Sequence, residues 1–262
     1  MVGKIHSKQI KVGELDIHYY TGGQGEPLVV IHGGGGGAGE WLQNIPQLCE
    51  HHSVYVPDLP GFGTSQPMNG DYSISEFVEF IEGFTRSLGL ERFRLVGHSI
   101  GGGIALDYAL KFPHKVGKLV LVSSMCLGKE IALWVRFLSS SVFLRSLGIA
   151  AAAVLRAVKW LLNLVYAPLE FVNPLPRAKV GLGKTVTTFK EQPTVLVNRL
   201  SELMMPTLLV WGANDAIVPA SQAYAAARLI PDCQVKVFED CGHSVYKQKA
   251  KEFSHLLLKF LG

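Results

Sequence analysis

The sequence predicts an α/β fold built on one mostly parallel sheet, and three observations carry that expectation. Short apolar runs recur along the chain, each closed by a glycine-rich or acidic turn and followed by a helix-patterned stretch. The pentad Gly97-His98-Ser99-Ile100-Gly101 lies where one such run gives way to such a stretch. From about residue 126 to residue 203 the alternation stops and helical patterning takes over, which marks an insertion.

The elements follow in order. Lys4 to Val12 and Leu15 to Tyr20 alternate polar with apolar residues and meet at Gly13 and Glu14, so they form an antiparallel hairpin at the sheet edge. Leu28 to Ile31, Val54 to Val56, Phe93 to Val96, Leu119 to Val122, Leu208 to Trp211 and Val235 to Phe238 are continuous apolar runs, as expected for strands covered on both faces. With the hairpin they bring the sheet to eight strands. Ser73-Ile74-Ser75-Glu76 has capping-box spacing and starts a helix, which Gly89 stops.

Residues 1–125 and 204–262 therefore make one core domain, and residues 126–203 a helical cap. In the cap, Trp134, Phe137, Trp160 and Leu164 stand among Arg136, Arg145, Arg156 and Lys159. Charges interrupt its apolar stretches about every ten residues, short of the roughly twenty that cross a bilayer, so no transmembrane span is expected. A lid that packs on the core and on an apolar substrate is favoured over contact with a membrane surface. Ala150 to Ala153 favour helix, and Pro168, Pro174 and Pro176 end it.

A chain of 262 residues with 48% hydrophobic and 18% charged residues is compact rather than disordered. Its net charge of +4 is scattered, which argues against a nucleic-acid partner. Met1 to Lys11 lacks the unbroken apolar stretch of a secretory signal, so a cytoplasmic location is expected. Cys49, Cys126, Cys233 and Cys241 show no CxxC pair and read as buried reduced thiols.

The pentad matches G-x-S-x-G in strand-to-helix context, which nominates Ser99 as a nucleophile raised at a helix N-terminus. An incidental serine in a glycine-rich turn is disfavoured because motif and context coincide. The loop His32-Gly33-Gly34-Gly35-Gly36-Gly37 lets backbone N–H groups approach a ligand, so it is the candidate oxyanion loop. Its donor is Gly34, with Gly33 next to it as fallback, and the N–H of Ile100 is the other donor. A phosphate loop would need a lysine or a paired acid that the sequence does not supply. His32 reads as a brace for the turn.

A serine nucleophile needs a base and an orienting acid from neighbouring strand ends. His243 follows the last apolar run and Asp215 follows the run before it, giving the chain order Ser, Asp, His. Asp240 is the rival acid, but it lies only three residues before His243 and is poorly placed for the far ring nitrogen. His114 and His255 read as solvated surface groups. No cluster has metal-ligand spacing, and neither metal nor cofactor is expected.

These residues resemble those of the α/β-hydrolase superfamily over nearly the whole chain, including a cap after the sixth strand. Asp58-Leu59-Pro60-Gly61-Phe62-Gly63-Thr64-Ser65 is similar to the D-x-P-G-x-G-x-S turn of that superfamily. The resemblance implies Ser99, Asp215 and His243 as catalytic residues and an ester or related carbonyl compound as substrate. His32 to Gly39 followed by Trp41 is similar to the meta-cleavage-product hydrolases, which split C–C bonds. Those enzymes usually carry Asn before the nucleophile and Trp after the histidine, where this chain has His98 and Ser244. The GHSIGG elbow is found widely among carboxylesterases. The leading expectation is thus a serine carboxylesterase acting on small to medium apolar esters through an acyl-enzyme. C–C hydrolysis is the alternative, and a non-catalytic small-molecule binder the remote one. Gly33, Trp41 and His98 are the candidate pocket residues.

Overall fold

A computed structural model gives the fold, and it describes residues 5–128 and 195–262. The cap expected over residues 126–203, with its tryptophans, arginines and prolines, lies almost wholly outside the described residues. So does Lys4.

Eight strands form one sheet in the order β1-β2-β4-β3-β5-β6-β7-β8. They are β1 (His6–Val12), β2 (Leu15–Gly22), β3 (Glu26–Ile31), β4 (His52–Pro57), β5 (Phe93–His98), β6 (Val116–Val122), β7 (Thr207–Gly212) and β8 (Cys233–Phe238). The hairpin β1–β2 pairs antiparallel from His6 opposite Thr21 to Val12 opposite Leu15, and every pair from β4 to β8 is parallel.

Side chains of the central strands alternate between two cores, as the twofold period of a strand requires. Val29, Ile31, Leu119, Leu121, Leu209 and Trp211 enter one core, whereas Leu28, Val30, Val120, Val122, Leu208 and Val210 enter the other. The first core is covered by α2 (Ile74–Ser87), α3 (Ile100–Lys111) and α4 (Ser221–Ala227). The second is covered by a 3₁₀ turn (Ala38–Trp41), α1 (Ile45–Leu48), α5 (Val245–Gln248) and α6 (Ala250–Leu261). At the start of α2 the capping box forms as its spacing implies, the Ser73 hydroxyl taking the Glu76 N–H while the Glu76 carboxylate takes the Ser73 N–H. Gly89 adopts φ +69° just past the helix end, a conformation that suits glycine.

One strand departs from expectation. β8 is an edge strand whose Gln234 and Lys236 are exposed, so it is not covered on both faces. The run at Val235 to Phe238 misleads because lysine at position 236 turns outward, and no residue of the strand is fully buried. None of the four cysteines is disulfide-bonded; Cys49, Cys126 and Cys241 are buried and Cys233 is half-buried.

Candidate functional site

All the singled-out loops leave the carboxyl ends of parallel strands, the edge where open α/β sheets place their crevices. Ser99 follows β5, the glycine loop follows β3, Asp215 follows β7 and His243 follows β8. Because β3 and β5 are neighbours, the glycine loop lies beside Ser99.

Ser99 has φ +55° and ψ −118°, a conformation that an L-residue adopts only under constraint. The constraint is visible in its bonds. Its N–H donates to the carbonyl of Val122 at 2.9 Å, and its own carbonyl accepts from Met125 at 3.0 Å. Both flanking glycines are sterically required, since a side chain at Gly97 would overlap the Gly101 carbonyl and one at Gly101 would overlap those of Ile31 and His32. Ile100 opens α3 directly after Ser99, so its N–H has no acceptor within the helix and stands at the positive end of the helix dipole.

His243 comes from the loop beyond β8, which two strands, β6 and β7, separate from β5, and must cross their ends to reach Ser99. Gly212 makes that crossing possible: a side chain there would overlap the carbonyls of Cys241 and Gly242. The Asn214 N–H donates to Cys241 O at 2.9 Å, and the Gly242 N–H donates to the Gln248 side chain at 2.8 Å. The result brings the three sequence-predicted residues together. His243 Nε2 lies 3.0 Å from Ser99 Oγ, and His243 Nδ1 lies 2.9 Å from Asp215 Oδ2.

The Asp215 side chain is fully buried. Burial alone would raise its carboxyl above the ordinary value, but the bond from His243 and those from the N–H groups of Val218 and Ile217 outweigh it and hold the group below that value. Asp240, the rival acid, is exposed along a solvent-open groove between β8 and α6, with Lys236, Lys249 and Glu252.

Two expected pocket residues turn inward instead. Trp41 is fully buried in the second core, stacked on Tyr246 with centroids 4.3 Å apart, so it packs rather than lines a pocket. His98 points from the same face of β5; its ring contacts those of His243 and Tyr246 at 4.9 and 4.7 Å, and its Nε2–H donates to the His243 carbonyl at 2.9 Å. Burial, and next the neighbouring His243, push the His98 imidazole down to about 3, so the ring is a neutral brace for the His243 loop. Gly33 does lie at the site: a Cβ there would come 3.3 Å from Ser99 Cβ and 2.7 Å from His98 Nδ1. The corresponding position of Gly34 is 3.7 Å from Ile100 Cγ2.

The glycine loop is held at both ends. His32 is fully buried, donates from Nδ1 to Gly33 O at 2.7 Å and accepts the Leu59 N–H on Nε2 at 2.9 Å, which makes it the brace expected. The Asp58 carboxylate accepts the Ala38 N–H at 2.6 Å and the Thr64 N–H at 3.0 Å. Burial opposes its charge, yet bonds from His18, Thr64 and Ala38 keep its carboxyl below the ordinary range. Sequence reasoning missed a third tie, Glu40, which accepts from Lys247 Nζ at 2.6 Å and the Tyr246 hydroxyl at 3.2 Å, joining the glycine loop to the helix after His243. It missed Gly212 as well. A glycine between a buried strand and a candidate acid was the available signal for that residue; for Glu40 there was none, because its partners lie more than 200 residues away.

Among the described residues, no group of three or more His, Cys, Asp or Glu side chains is placed to hold a metal ion. No helix among them is long and apolar enough to cross a membrane.

Comparison with known proteins agrees with this architecture. The chain is 31% identical over 255 residues to a dihydrolipoyllysine-residue acetyltransferase component of an acetoin cleaving system from Cupriavidus necator, covering 92% of this chain and 65% of that protein, slightly less than two thirds of its length. It is 31% identical over 273 residues to a 2-hydroxy-6-oxononadienedioate/2-hydroxy-6-oxononatrienedioate hydrolase from Pseudomonas putida, covering 97% of this chain and 94% of the relative. The structure of a meta-cleavage product hydrolase from Pseudomonas fluorescens superposes with a TM-score of 0.74 at 25% identity, over 97% of each chain. The family described as the alpha/beta hydrolase family matches residues 28–256, from β3 to within α6. The chain belongs to the α/β-hydrolase family.

Proposed function

We propose that Ser99, His243 and Asp215 form a catalytic triad that cleaves carboxylic esters of small to medium apolar substrates through an acyl-enzyme. The observation that carries this reading is the unbroken relay from Asp215 through His243 to Ser99, with links of 2.9 and 3.0 Å. Asp215 is an acceptor on every side, so the ring carries its proton on Nδ1 and turns the Nε2 lone pair toward the serine. Ser99 Oγ then attacks the ester carbonyl while His243 Nε2 takes its proton. The N–H groups of Ile100 and Gly34 hold the oxyanion, with Gly33 beside them. His243 returns the proton to the leaving alkoxide; it next activates water, which releases the acid and restores Ser99. The helical cap of residues 126–203 is the proposed lid.

A second reading, hydrolysis of a C–C bond in a meta-cleavage product, draws its support from the 31% identity to the Pseudomonas putida hydrolase. Ester cleavage is preferred because His98 is folded under His243 and Ser244 stands where those hydrolases usually carry Trp. A panel of p-nitrophenyl esters of graded length set beside a meta-cleavage dienone tests the choice. Ester turnover far above dienone turnover is expected; the reverse ranking assigns C–C hydrolysis, and no turnover of either defeats both.

A further inference from the structure

Outside this site the described residues hold a second serine–histidine–aspartate relay. Ser7 on β1 and His18 on β2 are not opposite each other in register, yet Ser7 Oγ lies 2.8 Å from His18 Nε2. His18 Nδ1 lies 2.8 Å from Asp58 Oδ2. The orientation of the protons follows from Asp58. Its carboxylate takes N–H bonds from Ala38 and Thr64 and keeps its negative charge, so it is acceptor-only and Nδ1 must carry the proton donated to it. In the neutral ring the Nε2 lone pair then faces Ser7, whose O–H is the donor.

Exposure differs along the relay in a way that suits a nucleophile. The side chains of Asp58 and His18 are only 4% and 11% exposed, whereas Ser7 is exposed on the edge strand. A shielded base and acid acting on an accessible hydroxyl is the general arrangement of an activated nucleophile. We propose that Ser7 is a second activated serine, a modification site that accepts acyl or phosphonyl groups from small activated donors.

The step mirrors acyl transfer. Ser7 Oγ bonds to the acyl carbon, the bond to the leaving oxygen breaks, and the serine proton passes through His18 Nε2 to that oxygen. With a fluorophosphonate, the O–P bond forms, fluoride leaves and the proton is taken up by His18 and released to water. Ser7 lies within a strand, not at a strained elbow before a helix N-terminus as Ser99 does. Each oxyanion donor is worth about 10²–10³ in rate, so Ser7 reacts more slowly than Ser99 and keeps the group it accepts. It is a stoichiometric acceptor, not a turnover site.

The test removes the faster competitor. Full-length Ser99→Ala protein is treated with a fluorophosphonate and the adduct mapped by peptide mass spectrometry. Labelling is expected at Ser7, about a hundredfold faster than at the exposed serines Ser75 and Ser87, which lack such a base. His18→Ala in the same background should slow Ser7 labelling by a similar factor, and Ser7→Ala should abolish it. With Ser99 intact, His18→Ala is checked for folding by its labelling at Ser99. Ser7 labelled no faster than Ser75 and Ser87, or a Ser7 rate unchanged by loss of His18, overturns the proposal.

Discussion

Replacing Asp215 by Asn tests the proposed relay at its most constrained point. Asp215 Oδ1 accepts the N–H groups of Ile217 at 2.9 Å and Val218 at 3.0 Å. In the variant that position must be filled by the amide oxygen, since an NH₂ there would face two donors. The amide nitrogen is thereby forced into the Oδ2 position, 2.9 Å from His243 Nδ1, where it donates. That donor favours the tautomer in which His243 accepts on Nδ1 and carries its proton on Nε2, with no lone pair facing Ser99. The other acceptor near Nδ1, the oxygen 3.1 Å away, is already taken by two backbone N–H groups. An amide that imposes the wrong tautomer in a triad of this kind costs about 10⁴-fold in turnover, or about 5.4 kcal/mol of activation free energy. The assay is kcat/KM on a p-nitrophenyl ester, with circular dichroism to show that the variant is folded. Asp240→Asn is the control: that side chain is exposed and faces the β8–α6 groove, so a loss of about tenfold or less is expected. A folded Asp215→Asn enzyme within tenfold of wild type, or an Asp240→Asn loss as large, would refute the assignment.

Other outcomes follow from the same geometry. Ser99→Ala should stay folded and lose several orders of magnitude of ester turnover, measured on the same ester. Gly212→Ala should displace the His243 loop from the end of β7; a shift of about 1 Å costs about a hundredfold in turnover, which slower fluorophosphonate labelling of Ser99 would corroborate. Asp58 has a depressed carboxyl, so its contribution to stability is present above the unfolded carboxylate value of about 3.9 and is lost as pH falls through the folded value. Denaturant titrations below that pH should show a steep loss in wild type and a shallower one in Asp58→Asn.

The parts of this molecule that were legible in the sequence are those fixed by local chemistry. The elbow at Ser99, the capping box at Ser73 and the hairpin turn at Gly13 each declare themselves within a few residues, because one turn type or one cap demands those side chains. The order Ser, Asp, His let the relay be named, and chain separation was enough to prefer Asp215 over Asp240. Trp41 and His98 were misplaced for the opposite reason. His98 lies inside the elbow pentad and Trp41 just after the glycine loop, but both pack on the ring of Tyr246, more than 140 residues away in the chain. Periodicity could not place a tryptophan in a 3₁₀ turn of four residues. Lys236 made the converse error possible, since one lysine in an apolar run does not say whether the strand has a neighbour on its far side.

The two flanks of the site belong to opposite ends of the chain. The Asn44 amide, just after the glycine loop, donates to the carbonyls of Tyr246 and Ala250 and to the Ser254 hydroxyl. Its partners lie between 202 and 210 residues downstream. On a ribosome the elbow emerges first, and the histidine that bonds to it follows 144 residues later. At about 5–20 residues per second that interval is roughly 7–30 s. Throughout it the nascent chain carries Ser99 without its hydrogen-bond partner His243, and with the glycine loop untied on one side. On the proposed mechanism, hydrolysis therefore waits until α5 and α6 have emerged and closed onto Asn44 and Glu40.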